Sequence, residues 1–166
     1  MIPTLHDLEL HFNPLDILEE FASAHDWRFD RSGECELISE VKGRWCDYVM
    51  CFFWQSDISA VLFSCHVDQK IPWTKRRDVH ELLAAVNETL WLGHFDVSTE
   101  EGLPMYRHTI LLRGAPGITV EQLEDMVDTA MTEWEQFYPA LQLVLWGGRS
   151  VDDALKSTVM ETVGEA

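Results

Sequence analysis

The hydrophobic period changes once within residues 78–112, and that change limits the folds open to the chain. Val79, Leu82, Leu83, Val86 and Leu90 recur at helical spacing and lie on one stripe, while Asn87 and Glu88 face elsewhere. Beyond Leu92, Gly93 suits the left-handed position that ends a helix, and from there apolar residues recur every second position. His94–Val97 reads as a strand, residues 98–104 as a turn and residues 105–112 as a returning strand. A helix that feeds an antiparallel hairpin makes this an α+β chain, and none of these residues by itself carries a reaction.

Upstream, Asn13-Pro14 is a helix start, with an N-cap side chain followed by the imino acid that suits the first helical position. Leu15, Leu18, Phe21 and Ala22 give this helix an apolar stripe that ends near His25, and residues 1–12 form an N-terminal arm. Residues 27–29 start a strand that Arg31-Ser32-Gly33 interrupts and residues 34–41 continue or restart. Residues 45–54 are apolar on both alternating faces, which predicts a central strand covered on both sides. Residues 58–67 return the chain and put Val61, Phe63 and Cys65 on one face, completing an antiparallel meander.

Downstream, Thr119 and Gln122 have the spacing of a capping box. Val120, Leu123, Val127, Ala130, Trp134, Phe137, Leu141 and Val144 then form a seam of period 3.5, which suits a long helix laid along a partner. Pro139 interrupts the hydrogen bonding without shifting the phase, so the reading is a kinked helix to about Trp146; a strand over residues 141–146 is the competing reading. Gly147-Gly148 stops the segment, and Ser150 opens an extra C-terminal helix over residues 150–164. The expected architecture is one domain over residues 1–166. It has an antiparallel five-stranded sheet, helices in the order α-β-β-β-α-β-β-α, and the added C-terminal helix.

The chain has 166 residues and a formal charge of −17, which repels phosphate backbones and anionic lipid surfaces, so nucleic acid and membranes are not expected partners. No apolar run approaches the roughly 18 residues that would span a bilayer. The N-terminus has neither the basic nor the apolar region of a secretory signal, so a cytoplasmic protein is expected. Cys35, Cys46, Cys51 and Cys65 form no CxxC pair and read as reduced thiols, most of them on buried strand faces.

Chemical signatures are sparse. His66-x-Asp68 and His94-x-Asp96 each place two possible ligands on one strand face, but without the HxxxH, HExxH or CxxC companions of a zinc site. Cys65 and His66, adjacent on a strand, point to opposite faces and cannot pair as thiolate and imidazolium. Nucleophile-elbow, Walker A and dinucleotide motifs are missing, and Gly147-Gly148-Arg149-Ser150 is better explained as a helix stop followed by a new N-cap. No catalytic residue, cofactor or metal site is therefore assigned. Most of the seven tryptophans read as core residues, since aromatic side chains contribute the largest buried areas; with eight phenylalanines beside them the chain has apolar surface to spare, and the surplus predicts an interface.

The element order resembles the fold of type III secretion chaperones, and the local text resembles the YbjN family. The matching residues run from Asn87 through Gly93-His94-Phe95 to Tyr106-Arg107, from Tyr138-Pro139-Ala140 into Leu145-Trp146-Gly147-Gly148, and over the closing Glu161-Thr162-Val163-Gly164-Glu165-Ala166. The resemblance spans most of the chain from Asn13. It implies a regulator of sensory transduction with no established reaction, and a non-catalytic, chaperone-like binder of an unidentified protein partner. It also implies a homodimer through the central helix and the hairpin, for which the candidate interface residues are Phe95, Val97, Tyr106, Ile110 and Leu112. The alternative is a small-ligand binding protein or enzyme with its pocket between sheet and helices. Protein purified without a metal-affinity tag should show substoichiometric zinc, iron and copper by elemental analysis. A stoichiometric metal lost on mutating Cys65 or His66 would overturn that expectation.

Overall fold

The computed structural model describes residues 13–164, with side chains up to Thr158, so the arm expected over residues 1–12 lies outside the described residues. The chain begins with α1 (Pro14–Ala24), capped as expected by Asn13, whose side chain accepts the Leu15 N–H. Four strands follow: β1 (Arg28–Ser32), β2 (Glu36–Lys42), β3 (Asp47–Gln55) and β4 (Ala60–Val67). Then come α2 (Arg76–Asn87), the hairpin β5 (His94–Val97) and β6 (Pro104–Leu111), the long α3 (Val120–Leu145), and α4 (Val151–Gly164). The strands form one antiparallel sheet in the order β1-β2-β3-β4-β6-β5.

The sheet has six strands where five were expected, because residues 28–42 make a hairpin instead of one interrupted strand. Arg31, read from the sequence as part of a break, lies within β1. Its side chain alternates onto the face toward α1, where the guanidinium bonds Asp16 at 2.7 Å and Glu19 at 2.9 Å. The pair of carboxylates raises the Arg31 pKa further and makes a charged residue compatible with an inward strand position. The turn falls one step later, at Gly33, whose φ of +71° places it in the left-handed region.

A second difference concerns β3. Tyr48, Met50 and Phe52 are buried, but Val49 and Cys51 on the other face are only half-buried and Phe53 is 44% exposed. The strand is central in the sheet, and the described elements cover one side of it. Doubly apolar alternation identifies an interior strand without showing whether a second layer exists.

The helical stripe of α2 is buried at Val79, Leu82 and Leu83, but the helix ends at Asn87 instead of running to Leu92. The Asn87 side chain is recruited by β5: its amide N–H donates to the Phe95 carbonyl at 2.9 Å and its carbonyl accepts the Phe95 N–H at 2.7 Å. Gly93 is left-handed, with φ +63°, yet it serves as a gap rather than a helix cap. Any Cβ there would collide with the hydroxyl of Tyr106, which donates to the Leu92 carbonyl at 2.6 Å.

The long seam lies on the sheet as one helix. Thr119 and Gln122 form the reciprocal capping box, and the helix continues through Pro139 to Leu145, which rules out a strand over residues 141–146. Every seam residue from Leu123 to Val144 is buried, whereas Val120, at the first turn, is 47% exposed. Trp134 sits at the centre, fully buried, with its indole N–H donating to the Cys65 carbonyl of β4 at 2.9 Å and its ring against Tyr48, Phe95 and Phe137. At the far end Gly148 is left-handed and the Ser150 hydroxyl accepts the Asp153 N–H, which starts α4 as the sequence predicts. Replacing Trp134 by Phe removes the buried N–H bond and part of the ring volume. It should lower unfolding free energy in urea by about 2 kcal/mol with the fold retained; a change within 0.5 kcal/mol would remove Trp134 from its central role.

Candidate interaction surface

Among the described residues the four helices lie on one side of the sheet, and this decides which of those residues are packed and which are open. Phe95, Val97, Tyr106 and Leu112 point under the helices and are buried in the chain's own core. The Phe95 ring is 4.4 Å from that of Phe137, 5.1 Å from Trp134 and 5.5 Å from Tyr106. The hairpin face chosen from the sequence is therefore the packed one. Of the five candidate interface residues only Ile110 is partly open. As expected, the hairpin occupies one edge of the sheet, with β5 outermost and β6 pairing β4.

The opposite sheet face has no covering element among the described residues. The strand registers put Ile38, Cys51, Ser64 and Arg107 in one row, Glu40, Val49, His66, Met105 and Asp96 in the next, and Glu36, Phe53, Leu62 and Thr109 in a third. Its centre is apolar, with Ile38, Val49, Leu62 and Met105 half-buried, Phe53 exposed and Leu111 71% exposed. Its flanks carry both signs of charge: Arg28 opposite Glu40 on one side, and Arg107 bonded to Asp96 at 3.3 Å on the other. The surplus aromatic surface is larger than expected. Trp45, Trp73, Trp91 and Trp146 are exposed, Trp27 and Trp54 are partly buried, and only Trp134 is fully enclosed.

Two clefts open on the helical side. One, of about 180 Å³, lies between β6 and the first half of α3 and is lined by Leu92, Tyr106, His108, Ile110, Gln122, Asp125, Met126 and Thr129. The other, of about 350 Å³, is walled by Trp45 stacked on Tyr138, with Gln142 and Leu143 of α3 and Ser157 and Thr158 of α4 completing it. The Trp45 indole N–H donates to the Glu135 carbonyl, which fixes the ring against α3.

Comparison with known proteins follows the same outline. The model of the YbjN family, described as "Putative bacterial sensory transduction regulator", matches residues 14–143. The chain belongs to the YbjN family. The crystal structure of YbjN from E. coli, described as "a putative transcription regulator", is similar at a TM-score of 0.50 and 12% identity, covering 89% of this chain and 93% of that one. At that identity the likeness is one of fold. No curated protein matches the sequence.

Titration behaviour in this YbjN-family chain is governed by burial. Desolvation raises the thiol pKa of Cys46, Cys51 and Cys65, the reverse of what activating a nucleophile requires, and pushes the Tyr106 phenol up to about 12. Cys65 is buried, Cys46 and Cys51 are half-buried and Cys35 is exposed, all four free. His66 and Asp68 stay at one end of β4, while His94 and Asp96 sit on β5; among the described residues no group of three or more His, Cys, Asp or Glu could hold a metal ion. His108 is lowered first by burial and second by His94. His66 is lowered by burial, partly offset by Glu101 and Asp68. No sequence motif marks the His108 cleft, since its residues come from three separate stretches that only tertiary packing joins.

A folded-state histidine pKa below the unfolded value means that the unfolded chain takes up the proton first. Stability is then full above the unfolded value near 6.5 and is lost as pH falls toward the folded value. Urea midpoints should drop as pH falls below about 6.5. The His108→Gln variant should show a shallower drop, with His66 supplying the remainder; an unchanged slope would exclude His108 as a contributor.

Proposed function

We propose that this YbjN-family chain is a non-catalytic, polypeptide-binding regulator, chaperone-like in fold, that works in the cytoplasm as a homodimer. The observation that carries the reading is the uncovered sheet face: an apolar centre spanning the middle strands, bounded on both sides by paired opposite charges. A twofold contact requires a surface complementary to itself, and a face with both signs at each flank meets that condition. The family description as a sensory transduction regulator agrees with a protein whose output is binding. The hairpin still contributes to the dimer, through Met105, Thr109 and Leu111 rather than through its packed face.

A second reading places a small ligand in the Trp45–Tyr138 cleft. Its volume of about 350 Å³ reaches the lower end of the roughly 300–1,000 Å³ that such ligands occupy, whereas the His108 cleft of about 180 Å³ accommodates little more than a side chain. Its walls are aromatic and apolar with few polar groups, which suits binding better than catalysis.

The dimer is tested by light scattering at micromolar concentration, which should report about twice the 19.2 kDa chain mass. Phe53→Glu, on the uncovered face, should yield a folded monomer with an unchanged circular dichroism spectrum. Leu112→Glu, in the core, should unfold the chain. A wild-type monomer at high concentration would overturn the dimer, and a Phe53→Glu dimer would move the contact to another surface.

A further inference from the structure

The two members of the terminal hairpin differ in length, and the difference leaves part of the sheet edge open. β5 pairs only with residues 104–107 of β6, because the left-handed Gly93 turns the chain away before it can continue along the strand. Leu112 donates its N–H to Ser59 on the β4 side, so by strand alternation the main-chain groups of Thr109 and Leu111 point the other way, past the end of β5. No described residue bonds them there. The outer edge of β5 itself is satisfied by side chains: Asn87 takes both main-chain groups of Phe95, and Asp96 accepts the Val97 N–H at 2.8 Å. The chain thus blocks the outermost strand and leaves a short stretch of the next one unpaired.

That stretch borders the smaller cleft. Leu92, Ile110 and Met126 supply its apolar lining, Leu111 faces the other side of the sheet, and Trp91, beside Leu92, is 98% exposed. The first half of α3 rims the cleft with Asp125 and carries exposed Glu121, Glu124 and Asp128 beside it. An added strand presents side chains alternately to the two faces, so one residue would enter the cleft, its immediate neighbours would lie over Leu111, and the residues two places away would lie along the acidic helix.

We propose that the open edge of β6 at Thr109 and Leu111 receives an extended, basic segment of another polypeptide by strand addition, with one apolar side chain seated in the cleft between β6 and α3. This rests on the polypeptide-binding reading and assigns it a site separate from the uncovered sheet face. The small volume fixes the anchor as a single aliphatic side chain, and the acidic rim selects lysine or arginine two places to either side of it, on the same face of the added strand.

The test uses the whole chain, labelled with nitrogen-15, and a terminally blocked heptapeptide with a central leucine, valine on each side of it and lysine two places away on each side. The peptide should shift the Thr109 and Leu111 amide resonances saturably and slow hydrogen exchange at both. A control peptide with the same side chains, N-methylated on alternate main-chain nitrogens so that it cannot pair, should bind about tenfold more weakly. Thr109→Pro, which removes an outward N–H and leaves the β4 pairing intact, should weaken the parent peptide by a similar factor. Asp125→Lys provides a second variant that leaves the main chain untouched; it should weaken the parent peptide and restore affinity for an otherwise identical glutamate peptide. Equal binding of both lysine peptides would show attraction by charge alone and overturn the proposal. Slow exchange at both amides in the peptide-free dimer, lost on dilution to monomer, would give the edge to a second copy instead. Shifts confined to the uncovered face would overturn the edge assignment while leaving the polypeptide-binding reading standing.

Discussion

The fold depends on how the long helix is held to the sheet at Trp134. A 26-residue helix with a narrow apolar seam can slide or roll on a flat sheet with little change in buried area. The indole prevents this by combining a directional bond to Cys65 of β4 with ring contacts to Tyr48 of β3 and Phe95 of β5. The bond lies in a dry interior, where an unmatched N–H would cost more than the bond contributes, so only the registered arrangement satisfies it. Once α3 is fixed, so are the faces it covers: Tyr48 and Phe52 on one side of the contact, Phe95 and Tyr106 on the other.

Local chemistry was legible in the sequence wherever one residue's side chain serves its own neighbourhood. Asn13 before Pro14, Thr119 with Gln122, and Ser150 after Gly148 all cap the helices they were expected to cap, and the seam kept its phase across Pro139. Legibility failed where a side chain acts at a distance. Arg31 is a strand residue because Asp16 and Glu19 wait for it on α1, and Asn87 ends α2 because the main chain of Phe95 recruits it. Neither partner is near in sequence.

The interaction surface shows the same limit more sharply. β6 has apolar residues at both parities, so alternation identified two faces without saying which one meets α3. The answer lies in the aromatic cluster of Phe95, Tyr106, Trp134 and Phe137, assembled from three elements. With the four described helices on one side, the other side has no cover among the described residues. The acidity of the chain was evident from its net charge, but the position of Glu121, Glu124, Asp125 and Asp128 beside an unpaired strand edge required the register of β5 against β6.

The strand order also bears on how the chain reaches this state. β1 to β4 are joined by short turns, so their pairing needs only local loop closure and can proceed as the strands emerge. The pairing of β4 with β6 is different. It joins residues roughly forty to fifty positions apart, with α2 and β5 between them, and carries the largest loop-closure entropy in the sheet. Until it forms, the exposed flank of β4 is a free edge on a meander rich in valine, phenylalanine and cysteine. The Asn87 clamp lessens that hazard, because tying the end of α2 to β5 shortens the effective loop and delivers helix and hairpin to the waiting edge as one piece.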